Sequence, residues 1–247
     1  MTKTANFFVA HNVDCSKDTT SVRRAFLELF KERGIEINMA SGKSGEIKAV
    51  KSISQKNSDY LHSYTFLFVK IDRQDSPSDN WEFMCFHDNE SKTICIGDAN
   101  SKNDSIKEWS ISILNCLINQ DINTDYSYSY HETIPFGQGY AVGVFCEDDE
   151  HDITDFDTAE EISLWLKNGN FDPRQNKIRD IFDVNIFSTN LFKEIINFFD
   201  EAAKKFRFTH ELNSGFHLIS LNDSQKQNVR AFLEKNQLLI AKGQGQT

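Results

Sequence analysis

Residues able to take part in acyl-transfer chemistry fall in two places along the chain. The first runs from Asn80 to Cys146. Asn80-Trp81-Glu82-Phe83-Met84-Cys85-Phe86-His87, a polar turn at Asp88-Asn89-Glu90-Ser91, and the return Lys92-Thr93-Ile94-Cys95-Ile96-Gly97-Asp98 spell a β-hairpin. Pairing outward from that turn sets Asn80 across from Asp98. A hairpin that holds one polar residue beside a carboxylate in this way can orient a general base for a thiol nucleophile. The second place is Cys15, a few residues before a helix start and close in sequence to His11. A helix N-terminus favours a thiolate, whereas the neighbouring Asp14 and Asp18 oppose it.

The elements that must position these groups follow from periodicity. Asn6 to Ala10 reads as a strand. Val22, Phe26, Leu29 and Phe30 recur at helical spacing before Gly34, so a helix spans Thr20 to Arg33, and a strand follows from Ile35 to Met39. His62 to Ile71 is an apolar strand expected to pair with strand 81–87. A helix covers Asp104 to Gln120, and Tyr126-Ser-Tyr-Ser-Tyr-His131 alternates strictly as a strand does. Further on, helices are expected over Thr158–Lys167, Pro173–Phe182 and Leu191–Phe206. A hairpin is expected from Phe206–Leu212 and Gly215–Leu221, then a helix from Asp223 to Lys235 and a short strand from Leu238 to Ala241.

From Asn80 the order is hairpin, helix, strand, then Pro135-Phe136-Gly137-Gln138-Gly139-Tyr140-Ala141-Val142-Gly143-Val144-Phe145-Cys146. This resembles the Ulp-type cysteine proteases of SUMO and ubiquitin-like proteins, in which His-Trp opens the hairpin and Asp closes it. A helix, a strand and a Gly-Tyr-Asp-Cys-Gly segment follow. Trp81, Asp98, Pro135, Gly139, Tyr140, Gly143, Phe145 and Cys146 fit that frame. The chemistry departs from it. Asn80 stands at the general-base His, Val142 at the nucleophilic Cys, and Phe136 at the oxyanion Gln unless a shifted loop lets Gln138 serve. Val has no nucleophilic atom, and an Asn amide takes up no proton near neutral pH.

The resemblance therefore implies a mixed α+β fold without the family reaction: a pseudoenzyme that binds protein. Residues 1–150 would form the Ulp-like core, and 151–247 a mainly helical part with a hairpin, packed on it. Trp81, Phe136, Gln138 and Tyr140 would line the former substrate groove, where the family holds a ubiquitin-like tail. The plainer reading of Trp81 and Tyr140 is that they fill the core. Two alternatives stand beside this one. Papain-like hydrolases also run Cys, helix, His, Asp or Asn, which would make Cys15 the nucleophile of an active hydrolase or acyltransferase, with His62 and Asp98 or Asn100. The opening strand, helix and strand also resemble a TIR-like nucleotide-binding domain.

Composition narrows the partners. Of 247 residues 39% are hydrophobic and 21 are Phe, enough for a sizeable core, and no run is long and apolar enough to span a membrane. A net charge of −10 disfavours direct nucleic-acid binding and favours a protein partner with a basic surface. Nine carboxylates between Glu147 and Glu161 would form a charged rim. Five cysteines at irregular spacing suit reduced thiols in a cytosol, the cell's own or that of a host into which an effector is delivered. Cys85 and Cys95 are expected to face each other or the core as small hydrophobes. Gly42-Lys43-Ser44-Gly45 lacks the earlier Gly of a phosphate loop. No His pair falls at helical i, i+4 spacing, so neither a metal nor a cofactor is expected.

Overall fold

The computed structural model describes residues 3–11, 13, 19–35, 39–41, 47–49, 64–69, 81–88, 92–100, 105–134, 141, 171–172, 177–206, 208, 210–213 and 215–239. In chain order the elements are β1 (Thr4–His11), α1 (Thr19–Glu32), β2 (Met39–Ser41), β3 (Ile47–Ala49), β4 (Tyr64–Val69), β5 (Phe83–Asp88), β6 (Thr93–Asp98) and α2 (Ile106–Asn119). They continue with β7 (Tyr126–Thr133), β8 (Phe171–Asp172), β9 (Lys177–Ile178), β10 (Val184–Ser188), α3 (Thr189–Phe206), β11 (His210–Asn213), β12 (Phe216–Ser220) and α4 (Asp223–Lys235). The protein is mixed α+β, and among the described residues no helix is long and apolar enough to cross a membrane.

A ten-stranded sheet in the order β11-β12-β10-β7-β1-β6-β5-β4-β2-β3 organises the chain. Its ladders are antiparallel throughout, which departs from the parallel sheet of a nucleotide-binding α/β domain. The C-terminal part shares this sheet, because β10 pairs with β7 and β12 with β10. Residues 1–134 and 184–220 thus contribute strands to one structure.

Alternation assigns each strand residue to one of two cores. Phe8, Ala10, Phe83, Cys85, Ile94 and Ile96 face α1 and α2, joined there by Val22, Phe26, Phe30, Trp109, Ile113 and Leu117. Phe7, Val9, Met84, Phe86, Cys95 and the tyrosines of β7 face the opposite way, toward α3, α4 and residues 178–182. Full burial of such apolar side chains contributes about 1.5–3 kcal/mol each before the entropy of ordering is subtracted. In β7 the serines point to the other side, where Ser129 accepts from Ser110 of α2 at 2.7 Å. Small residues there let α2 lie close to the sheet.

Local chemistry explains most element ends. Gly34 takes φ +64 and stops α1, a conformation in which a Cβ would be strained. Ser105 caps α2 by accepting from Glu108 N at 3.2 Å, and Asn222 with Gln225 forms a reciprocal capping box on α4.

Two expectations require correction. Asp98 lies opposite Phe83 rather than opposite position 80. Asp88 and Thr93 form the last pair of the ladder, and Lys92 turns the chain at φ +52, so the turn sits later than the polar residues alone indicate. Cys85 and Cys95 are both buried in the core as expected, on opposite faces of the sheet, because Cys85 pairs with Ile96 and Cys95 with Phe86. The expected helix over Pro173–Phe182 is absent from its described part: Lys177–Ile178 is a strand, and residues 179–182 are extended or bent. Asn185 holds that shape, its Oδ1 accepting from Phe182 N at 3.2 Å and its Nδ2 donating to Phe182 O at 2.8 Å. The Tyr126 hydroxyl adds a bond to Asp180 O at 3.1 Å. Side chains thereby satisfy backbone groups that a helix would have paired.

Candidate functional site

The hairpin carboxylate is fully engaged. Asp98 is buried, and its Oδ2 accepts from Arg33 Nη1 at 2.7 Å and Trp109 Nε1 at 3.2 Å. Its Oδ1 accepts from Asn100 N at 2.9 Å. These bonds tie the end of α1, the first turns of α2 and the exit of β6 to one carboxylate, both of whose oxygens are matched by donors. Asp98 is here an anchor between elements, held by an arginine, an indole and a backbone amide.

Trp81 has no exposed surface. Its ring stands edge-on to Phe7 at 5.8 Å and lies against Gly97, where an added Cβ would overlap the indole. The glycine at position 97 is thus a packing requirement, since only a bare backbone admits the ring. The indole fills the core beneath β6. Cys15, Asn80, Phe136, Gln138, Tyr140 and Val142 lie outside the described residues; Ala141, within the Gly-Tyr segment, is buried against the same core as Trp81.

Cys85, Cys95, Cys116, His11 and His87 are withdrawn from solvent. Burial raises the thiols of Cys85 and Cys95 well above the usual range and pushes Cys116 up to about 11, so none is a thiolate at neutral pH. Burial likewise pushes His87 down to about 4 and lowers His11. His11 sits in a polar cluster on the α3/α4 face. Its Nδ1 is 3.1 Å from the Thr93 hydroxyl and its Nε2 3.4 Å from the Tyr128 hydroxyl, which also accepts from Arg179 Nη1 at 2.7 Å. Arg179 is wholly buried, and its charge is a further cause of the lowered His11 value. Phe182 stacks on Tyr128 at 3.9 Å and closes the cluster from above.

Beside this cluster opens a cleft of about 240 Å³, lined by Tyr130, Asp180, Phe182, Asp183, Lys226 and Arg230 among others. Two ion pairs cross it. Arg230 Nε lies 3.0 Å from Asp180 Oδ1, and Lys226 Nζ lies 2.8 Å from Asp183 Oδ1 and 3.6 Å from Asp223 Oδ1. Lys226 and Arg230 are one turn apart on α4, whereas the aspartates come from the 180–183 segment and the helix start. Three carboxylates against two cations give the walls a formal charge of −1 (2 − 3). With Tyr130 and Phe182 at its sides, the cleft can accept a charged or amphipathic side chain. Neither Arg230 nor Asp180 was singled out from the sequence. The signal available was a charged pair, Arg179-Asp180, embedded between Ile178 and Ile181-Phe182.

Among the described residues no three His, Cys, Asp or Glu side chains gather as a metal-donor set. Among the described residues one large antiparallel sheet carries a helix pair on each face, with a mixed-charge cleft at one of those pairs. A solved structure described as "Pseudomonas aeruginosa T6SS protein PA0821" shares this fold with a TM-score of 0.57 at 6% identity, covering 99% of this chain and 77% of that one. No protein-family model matches the sequence, and no curated protein sequence does.

Proposed function

We propose that this chain is a non-catalytic protein-binding module, acting as an effector or defence-complex subunit in a T6SS-related setting and engaging a partner with a basic surface. The observation that carries the reading is the state of Asp98. The carboxylate that would orient a catalytic His in an Ulp-type protease is spent on Arg33, Trp109 and the Asn100 backbone. The likeness to the Ulp-type hairpin then describes a structural frame, and function falls to surfaces rather than to a reacting atom.

In this reading the cleft beside α4 is the docking point. Its carboxylates, with a net charge of −10 over the chain, attract a Lys or Arg of the partner, while Tyr130 and Phe182 pack against that side chain's stem. Trp81, buried in the core, supports the surface without touching the partner. The T6SS setting rests on likeness of fold to a protein so described.

The test is co-expression with products of neighbouring genes, followed by light scattering and titration calorimetry of any complex. A 1:1 complex is expected to weaken with rising salt and to lose at least tenfold in affinity in Asp183→Lys with Asp223→Lys, while the fold stays intact by circular dichroism. An acyl-substrate hydrolysis that disappears in Cys15→Ala would overturn the reading in favour of a thiol hydrolase.

A further inference from the structure

At the far edge of the sheet, away from the cleft, two imidazoles meet. His210 Nε2 and His217 Nδ1 are 2.7 Å apart, with ring centroids at 4.9 Å and planes 26° from parallel. The hairpin places them there: His210 pairs with Ile219 and Leu212 with His217, so the two histidines are diagonal neighbours on one face of β11 and β12. Phe192 of α3 backs both rings, stacked on His217 at 4.1 Å and 12° and lying 4.8 Å from His210. On the opposite face Glu211 accepts from Lys107 of α2 at 2.6 Å, which ties β11 to the body of the protein. The rings are thus held by packing and by the strand ladder, and His210 remains exposed to solvent.

We propose that His210 and His217 form a two-imidazole site for a divalent transition-metal ion of the zinc and copper class. Neutral imidazole is the favoured donor for such ions. Zinc–nitrogen bonds of about 2.0–2.1 Å in a tetrahedral arrangement set two donor nitrogens roughly 3.3 Å apart. The observed 2.7 Å opens to that value when the exposed His210 ring swings out of line with His217, which Phe192 holds in place. In the metal-free pair one of the facing nitrogens carries a hydrogen. On binding, that nitrogen releases its proton and the same ring takes one up at its other nitrogen, so both facing lone pairs reach the ion without net proton change. Among the described residues no third carboxylate, thiol or imidazole completes the set. Water or a donor from a bound partner fills the remaining positions, as in sites with open coordination. The site is independent of the protein-binding reading, since it shares no residue with the cleft.

Zinc chloride titrated into the full chain by calorimetry tests the site, with thiols blocked by alkylation so that cysteine binding does not contribute. Zinc stoichiometry is expected to fall by one equivalent in both His210→Gln and His217→Gln and to stay unchanged in His131→Gln, whose ring lies on β7. Thermal unfolding without metal checks each variant, and the His210 change at an exposed ring leaves the fold in place. With 100 Kd of free zinc the wild type should gain stability that His210→Gln does not. Unchanged stoichiometry in either variant, or the same zinc-induced shift of melting temperature in His210→Gln as in wild type, overturns the proposal and leaves a hydrogen-bonded histidine pair only.

Discussion

The two faces of the sheet solve the same packing problem differently. Toward α1 and α2 the core is apolar and its charge is gathered at one point, the Asp98–Arg33 pair with Trp109 as a third member. Toward α3 and α4 the core is aromatic and threaded with buried polar groups: His11, Tyr128 and Arg179 are bonded in one series, and Asn185, Tyr126 and Asp180 in a second. An apolar face is indifferent to small shifts, so a single ion pair fixes how its helices end. A face of hydrogen-bonded aromatics accepts only geometries that satisfy each group, which makes it the face that can hold an open cleft in a fixed shape. The cleft lies on that side, where the last member of the second series, Asp180, reaches Arg230.

Breaking the single anchor should have the largest effect. Arg33→Met leaves Asp98 buried without its Arg33 partner, and removal of one partner from a buried pair costs about 3–5 kcal/mol. Urea unfolding is expected to show that loss, and the double change Arg33→Met with Asp98→Asn is expected to recover much of it, because no buried charge is then left unmatched. Equal losses in the single and double variants would mean that the α1/α2 face has no such focus, and the contrast between the faces would fall. On the other face the corresponding change is Tyr128→Phe. It keeps the ring stack with Phe182 while removing the acceptor of Arg179 Nη1. An expected loss of about 2–3 kcal/mol follows from leaving a charged donor short of one partner. Because Tyr128 and Asn185 both hold the 179–182 segment, this variant should couple with Asn185→Ala in a double-mutant cycle, whereas it should be additive with Arg33→Met.

How much of this was legible in the sequence differs between the faces in the same way. Helices α1, α2, α3 and α4 could be read from apolar spacing, Gly34 and the polar residues that open α2 and α4, and the Tyr-Ser alternation declared β7. Those signals are local, and they sufficed for the apolar face. What the sequence hid was the polar face, because its members meet only after folding: Tyr128 finds Arg179 and His11 across separations of 51 and 117 residues. Helical spacing in 173–182 was misleading for the same reason, since the bonds that keep 179–182 extended come from Asn185 and Tyr126 side chains. Pairing of the β4 strand with β5 was foreseen, yet the register of β5 on β6 depended on Lys92 adopting a left-handed turn, which residue type alone does not announce. Of the site residues, Trp81 was legible as core, and the role of Asp98 was not, because Arg33 lies 65 positions away.

The smallest expected effect concerns a histidine on the apolar face. His87 faces the α1/α2 side between Cys85 and the β6 partner Ile94, is buried, and has no hydrogen-bond partner at Nδ1. Its folded pKa of about 4 lies below the ordinary value of 6.5, so between those pH values the unfolded chain binds a proton that the native protein does not. Stability is therefore unaffected by this group above pH 6.5 and falls as pH drops toward 4, by up to 1.4 kcal/mol per pH unit. The lowered pKa of His11 acts with the same sign. In His87→Leu that contribution vanishes and an apolar side chain takes the place of an unpaired nitrogen. The variant is expected to match the wild type within about 1 kcal/mol at pH 7 and to exceed it by on the order of 2 kcal/mol at pH 4.5, as read from urea midpoints. Parallel stability profiles for the two proteins would mean that His87 is protonated or bonded in the native state, and the α1/α2 face would then have a second polar anchor beside Asp98.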